Sequence, residues 1–193
     1  MAEKKKRKKK KMNKRKLAVV LTLAGILTVA AIGFGIFALF GRGSVTIGGA
    51  IRGYFKAIEA EDVDRYIKVC YPAAWSDHYR PREQEVDLNL LVEAVFARQS
   101  DTKVKEVDIL QEEKLEDVFV NRIEREIRDI YNVDLSLSAV YRVYFTLKSS
   151  YQEGGREIDY TSNTISRYIY KYKGKWYYLA DALLLVDLDL ENN

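Results

Sequence analysis

Five aromatic side chains, Tyr168, Tyr170, Tyr172, Trp176 and Tyr178, recur at even-numbered positions near the C-terminal end of the chain. On strands that spacing gathers rings into an aromatic-rich sheet. The chemistry such a surface offers is contact with a protein, peptide or saccharide, not the making or breaking of bonds. Residues for bond-making are scarce. The chain has one histidine, His78, and one cysteine, Cys70, and neither stands in the H-x-x-x-H or C-x-x-C spacing that holds a metal. No metal site and no cofactor are expected. A serine or cysteine nucleophile usually needs a histidine base, and no nucleophile motif surrounds His78, which reads as a surface loop residue. Gly48-Gly49 and Gly154-Gly155 lack the continuation of a phosphate-binding or dinucleotide-binding loop. Cys70 follows Tyr66, Ile67 and Val69 in an apolar helical run, so it is expected to be buried, and a single cysteine supports no intrachain disulfide framework.

The elements that position these residues follow from hydrophobic period. Ile47, Ala50, Ile51, Tyr54, Phe55 and Ile58 form one face of an amphipathic helix. Asp62 caps a second short helix carrying Val63, Tyr66, Ile67 and Cys70, which Pro72 stops. The stretch from Tyr71 to Arg82 reads as a loop, and Leu88, Leu91, Val92, Val95 and Phe96 give a third helix. Lys103 to Leu115 alternates in part, with Val104, Val107 and Ile109 suited to a strand. A fourth helix runs from about Asp117 to Tyr131, with Phe119, Ile123, Ile127 and Ile130 inward. Tyr141, Val143, Phe145 and Leu147 then alternate with polar residues in a half-buried strand. The Gly154-Gly155 turn leads to one long strand from Arg156 to Tyr172, and Gly174 turns it into a last strand, Lys175 to Ala180.

Ahead of all this lies Leu17 to Phe40, 24 residues without a charge. A helix of that length reaches roughly 36 Å, enough to cross a hydrocarbon core about 30 Å thick. A cleaved signal peptide has a shorter apolar region and a small-residue cleavage site, and neither is present. Residues 1–16 hold 11 basic side chains against one acid, whereas residues 17–193 hold 21 basic and 27 acidic ones. The basic pI therefore belongs to the tail, and no nucleic-acid partner is expected. Basic residues before the span keep the N-terminus in the cytoplasm. Lys8, Lys9, Lys10, Lys11, Lys14, Arg15 and Lys16 are placed to meet anionic lipid. The expected organisation is a tail at 1–16, a transmembrane helix at 17–40, a linker at 41–44, a domain at 45–181 and a C-terminal tail at 182–193. The protein is thus expected in the cell membrane, single-pass, with its C-terminal domain outside the cytoplasm.

Two opening helices, a third, a strand, an inserted amphipathic helix and a meander closing in Gly174-Lys175-Trp176-Tyr177-Tyr178-Leu179 resemble the nuclear transport factor 2-like, or cystatin-like, α+β fold over roughly residues 45–181. The resemblance implies helices packed on a curved, cone-like antiparallel sheet with a pocket inside. Bacterial envelope proteins with a basic tail and one anchor are similar in layout. The implied function is a non-catalytic, membrane-anchored binding or interaction module whose partner is an envelope protein, peptide or saccharide. A second expectation is an assembly component of a secretion or conjugation apparatus. A third is a small-molecule pocket enzyme, because members that shift protons use a pocket carboxylate and a tyrosine. Asp159 or Asp181 with Tyr160, Tyr168 and Tyr170 would then be the set, and alternating tyrosines are more simply what a half-exposed sheet requires.

Overall fold

The computed structural model describes residues 41–80, 86–97, 102–181 and 184. The basic tail, the apolar run 17–40 and most of the C-terminal tail lie outside the described residues. Among those described, no helix is long and apolar enough to cross a membrane.

Among the described residues the elements follow in the order α1 (Ile47–Glu59), α2 (Val63–Cys70), α3 (Ala73–Ser76), α4 (Leu88–Phe96), β1 (Lys103–Lys114), α5 (Asp117–Tyr131), β2 (Leu137–Glu153), β3 (Arg156–Thr161), β4 (Ile165–Tyr172) and β5 (Lys175–Tyr178). Polar caps begin three of the helices. Thr46 accepts from the Gly49 N–H, Asp62 from Arg65 and Asp87 from Asn89, each satisfying a helix-end donor that has no partner within the helix. Helix α5 ends at Asn132 in the left-handed region, a residue that tolerates it. Short helix α3 sits inside the stretch expected to be loop.

The architecture is α+β, with helices on a strongly curled antiparallel sheet. Strand β2 is its spine. It pairs with β1 on one side, and on the other with β3 through its C-terminal half and β4 through its N-terminal half. The single strand expected over Arg156–Tyr172 is therefore two. The break falls at Ser162, whose Oγ accepts from the Leu147 N–H and whose own N–H donates to the Leu147 carbonyl, ending one pairing so that another can start. Both hairpin turns use consecutive left-handed residues, Gly154-Gly155 and Lys173-Gly174, the geometry that matches strand twist.

Curling has a visible source in β1. Its register slips between Val104 and Glu106 and again between Ile109 and Gln111. Each slip inserts one extra residue, and such bulges bend a strand and increase its twist. They also explain why alternation in this stretch is only partial. With Lys105 extra, Val104 and Val107 are three apart yet both meet the core; with Leu110 extra, its side chain stands in solvent.

Helix α1 lies between β1 and β5, α2 packs on α1, α4 and β5, and α5 packs on β2. Tyr54 of α1 stacks on Tyr178 at 3.8 Å between centroids, Phe55 meets Phe145, and Tyr66 of α2 meets Phe96 of α4.

The segment expected to be a linker is stitched into this domain. The Gly43 N–H donates to the Lys68 carbonyl, and Ser44 and Trp176 exchange two backbone hydrogen bonds of 2.8 Å. Gly43 is left-handed, and a Cβ there would lie 2.7 Å from the Tyr177 ring. Gly154 is also left-handed but has nothing within 4 Å of that position. Gly43→Ala is expected to lower stability by about 2 kcal/mol, and Gly154→Ala by about 1 kcal/mol from backbone strain alone. Urea midpoints of the two variants test this; equal losses would mean the Tyr177 contact gives way freely.

Candidate ligand cleft

Of the five aromatic residues expected to form a contact surface, Tyr168, Tyr170 and Tyr178 are buried, while Tyr172 and Trp176 are half-buried. Tyr168, Ile169 and Tyr170 are buried in succession. Adjacent residues of a strand face opposite ways, so β4 is covered on both sides there. Tyr170 donates its hydroxyl to the Cys70 carbonyl at 2.6 Å and lies beside Trp75. Tyr168 accepts from Arg142 at 2.8 Å, and the guanidinium also sits over its ring. Trp176 packs on Tyr141 and under Lys171. The helical corner at Cys70–Trp75 covers Tyr170, and Tyr54 of α1 covers Tyr178. The lipid-contact lysines Lys8 to Lys16, with Arg15, lie outside the described residues.

The two carboxylates weighed for proton transfer have different surroundings and share no partner. Asp159 is exposed on β3 and pairs with Lys105 at 2.6 Å, which also reaches Glu157. Asp181 is buried just beyond β5. Its Oδ2 accepts from both the Tyr79 hydroxyl, at 3.0 Å, and the Tyr131 hydroxyl, and its Oδ1 accepts from the Leu184 N–H. Burial first, and the Asp181 charge second, push the phenols of Tyr79 and Tyr131 up, which keeps both protonated as donors. This arrangement ties three distant segments together: the loop after α3, the end of α5, and the chain leaving the sheet. His78 is exposed beside it. Cys70 is fully buried, and burial pushes its thiol up, so it is not a ready nucleophile.

Two open hollows of about 540 and 630 Å³ lie at this corner and share Asp77 and Arg80. Three of the charged groups around them have protein partners. Asp77 faces Arg42, Arg80 donates to the Tyr79 carbonyl, and Arg128 is held by Asp134.

A smaller cleft of about 220 Å³ differs in kind. Helices α1 and α4 form one wall, with Phe55, Ile58 and Phe96, and the sheet forms the other, with Val104, Leu147 and Tyr160. Ser149 also lines it. Its residue is 1% exposed, and its Oγ has no hydrogen-bond partner among the described residues. A buried hydroxyl left without a partner costs about 1–3 kcal/mol, and among the described residues Ser150 Oγ and Trp75 Nε1 share that state; of the three, Ser149 is the one that lines this cleft. Glu59 and Glu61 stand at the rim, both exposed. The signal in the sequence is a change of residue type within a kept period: Tyr141, Val143, Phe145 and Leu147 face the core, and the next residue of the same face is Ser149.

Neither protein-family models, nor curated proteins, nor solved structures gave a match to this chain. The functional reading therefore rests on sequence pattern and geometry.

Proposed function

We propose that the protein is a membrane-anchored extracytoplasmic binding module of the cell envelope, non-catalytic, with a domain of the nuclear transport factor 2-like type that receives its ligand in the cleft between α1, α4 and the sheet. The observation that carries this reading is the buried Ser149 hydroxyl, without a partner among the described residues, in a cleft that Phe55, Ile58, Phe96, Val104, Leu147 and Tyr160 also line. The helical hairpin, the curled sheet and the inserted helix α5 support the fold type. The uncharged run 17–40 behind a strongly basic tail supports the anchor and its orientation. A non-catalytic role is supported by Asp181, the one buried carboxylate among the described residues, whose oxygens accept from Tyr79, Tyr131 and the Leu184 backbone.

Two measurements test the proposal. In sealed cells, externally added protease is expected to remove the domain while the basic tail stays protected; a chain found in the soluble fraction, or a domain protected from outside, overturns the anchor. In the full chain held in lipid nanodiscs, a fragment library screened by methyl NMR is expected to move Ile58, Val104 and Leu147 together. Hits that move methyls elsewhere and leave these three alone would dismiss the cleft.

A further inference from the structure

The described residues lining the cleft include two carboxylates and no basic side chain. Neither Glu59 nor Glu61 has an ion pair among the described residues, although the sheet nearby is rich in them: Lys105 with Glu157 and Asp159, Lys148 with Glu106 and Asp108. Their negative charge is left facing the mouth of the hollow. Three aromatic rings line the same hollow, those of Phe55, Phe96 and Tyr160, and the face of an aromatic ring attracts cations. Carboxylates at the rim and rings on the walls select the same charge. The volume, about 220 Å³, admits one compact group.

We infer that the cleft binds a small molecule made of a compact apolar body and an ammonium group, the apolar body against Phe55, Ile58, Phe96 and Leu147 and the ammonium toward Glu59 and Glu61. This rests on the reading of the cleft as a binding site. The ligand also provides polar company for Ser149, whose hydroxyl has none among the described residues. Glu59 lies at the last residue of α1, where a carboxylate opposes the helix dipole, so removing the rim charge does not weaken the fold.

Phenethylammonium is the probe, with 2-phenylethanol as its neutral counterpart and 3-phenylpropionate as the anion, each titrated into the full chain in nanodiscs and followed at the methyls of Ile58, Val104 and Leu147. The cation is expected to bind roughly tenfold more tightly than the alcohol, and the acid more weakly still, since two partly solvated charges each contribute up to about threefold to fivefold. In the Glu59→Gln, Glu61→Gln double variant the preference for the cation over the alcohol is expected to vanish, with the alcohol's affinity and the melting temperature unchanged. Raising the salt is expected to shrink the preference in the unmodified protein. Equal binding of cation and alcohol, or a preference that survives the double variant, overturns the ammonium assignment and leaves the cleft standing as a binding site. No methyl shift from any of the three probes at millimolar concentration overturns both.

Discussion

Asp181→Ala is expected to lower the stability of the domain by about 3 kcal/mol, a drop in melting temperature of about 6–12 °C for a domain of this size. The substitution removes the shared acceptor of Tyr79 and Tyr131 and the acceptor of the Leu184 N–H. Hydrogen bonds to a charged group contribute about 1.5–3 kcal/mol each, offset here by relief of a buried charge. Asp181→Asn keeps the shape and one carbonyl acceptor and is expected to lose about half as much. Tyr79→Phe and Tyr131→Phe each remove a single donor, so each is expected to cost about 1 kcal/mol, and a double-mutant cycle with Asp181 should show coupling. Thermal melts of the full chain read all of these. An Asp181→Ala protein that melts with the unmodified one would mean that the three segments are held by packing alone. The same variant separates the proposed roles of the two regions, because ligand-induced shifts in the cleft at Ile58 and Leu147 should persist below its melting temperature.

The second large effect is alkaline unfolding. Burial pushes up the phenols of Tyr66, Tyr71, Tyr170 and Tyr178, and that of Tyr54 is pushed up to about 12. The folded state therefore holds these protons more tightly than the unfolded chain, whose tyrosines titrate near 10. A raised folded pKa contributes stability that is fully present below pH 10 and is lost as pH rises above it. Each such tyrosine removes about 1.4 kcal/mol per pH unit above 10. Four or more together exhaust the 5–15 kcal/mol typical of a domain within about two units. Stability is expected to be flat from pH 7 to 9 and to collapse between about 11 and 12. Absorbance of tyrosinate and far-ultraviolet circular dichroism, recorded on one sample, provide the check. Tyrosinate formation at the buried Tyr66, Tyr71, Tyr170 and Tyr178 is expected to coincide with loss of structure. A single smooth titration of all 14 tyrosines near pH 10 with the fold intact would contradict the burial described.

Much of the fold was legible because its signals are local. Asp62 before Val63, Pro72 after Cys70, and glycines at 154, 155 and 174 each act on a few neighbouring residues, and each marks the end of an element. The amphipathic stripe of α5 is equally local. What could not be read are features that depend on distant pairing. The split of Arg156–Tyr172 into β3 and β4 depends on Ser162 meeting Leu147. The exposure of the aromatic row depends on which helix folds over the sheet: Tyr170 looks like any strand tyrosine until its hydroxyl reaches the carbonyl of Cys70, 100 residues away. The tie at Asp181 joins side chains 50 and 102 residues distant, and no spacing rule anticipates that. The cleft was half visible. Ser149 continues an apolar face, but Glu59 and Glu61, at the end of α1, join it only because α1 lies across the sheet.

The seam between Ser44 and Trp176 makes part of the fold out of a stretch that reads as a spacer. Because Gly43 and Ser44 already belong to the fold, only two residues, Gly41 and Arg42, separate Phe40 from it, and Arg42 itself donates to the Tyr71 carbonyl and Ser76. A flexible insert between Gly43 and Ser44 would therefore separate the Lys68 contact from the Trp176 contact and is expected to cost the fold stability, although by position alone this stretch looks like a place where added residues would go unnoticed.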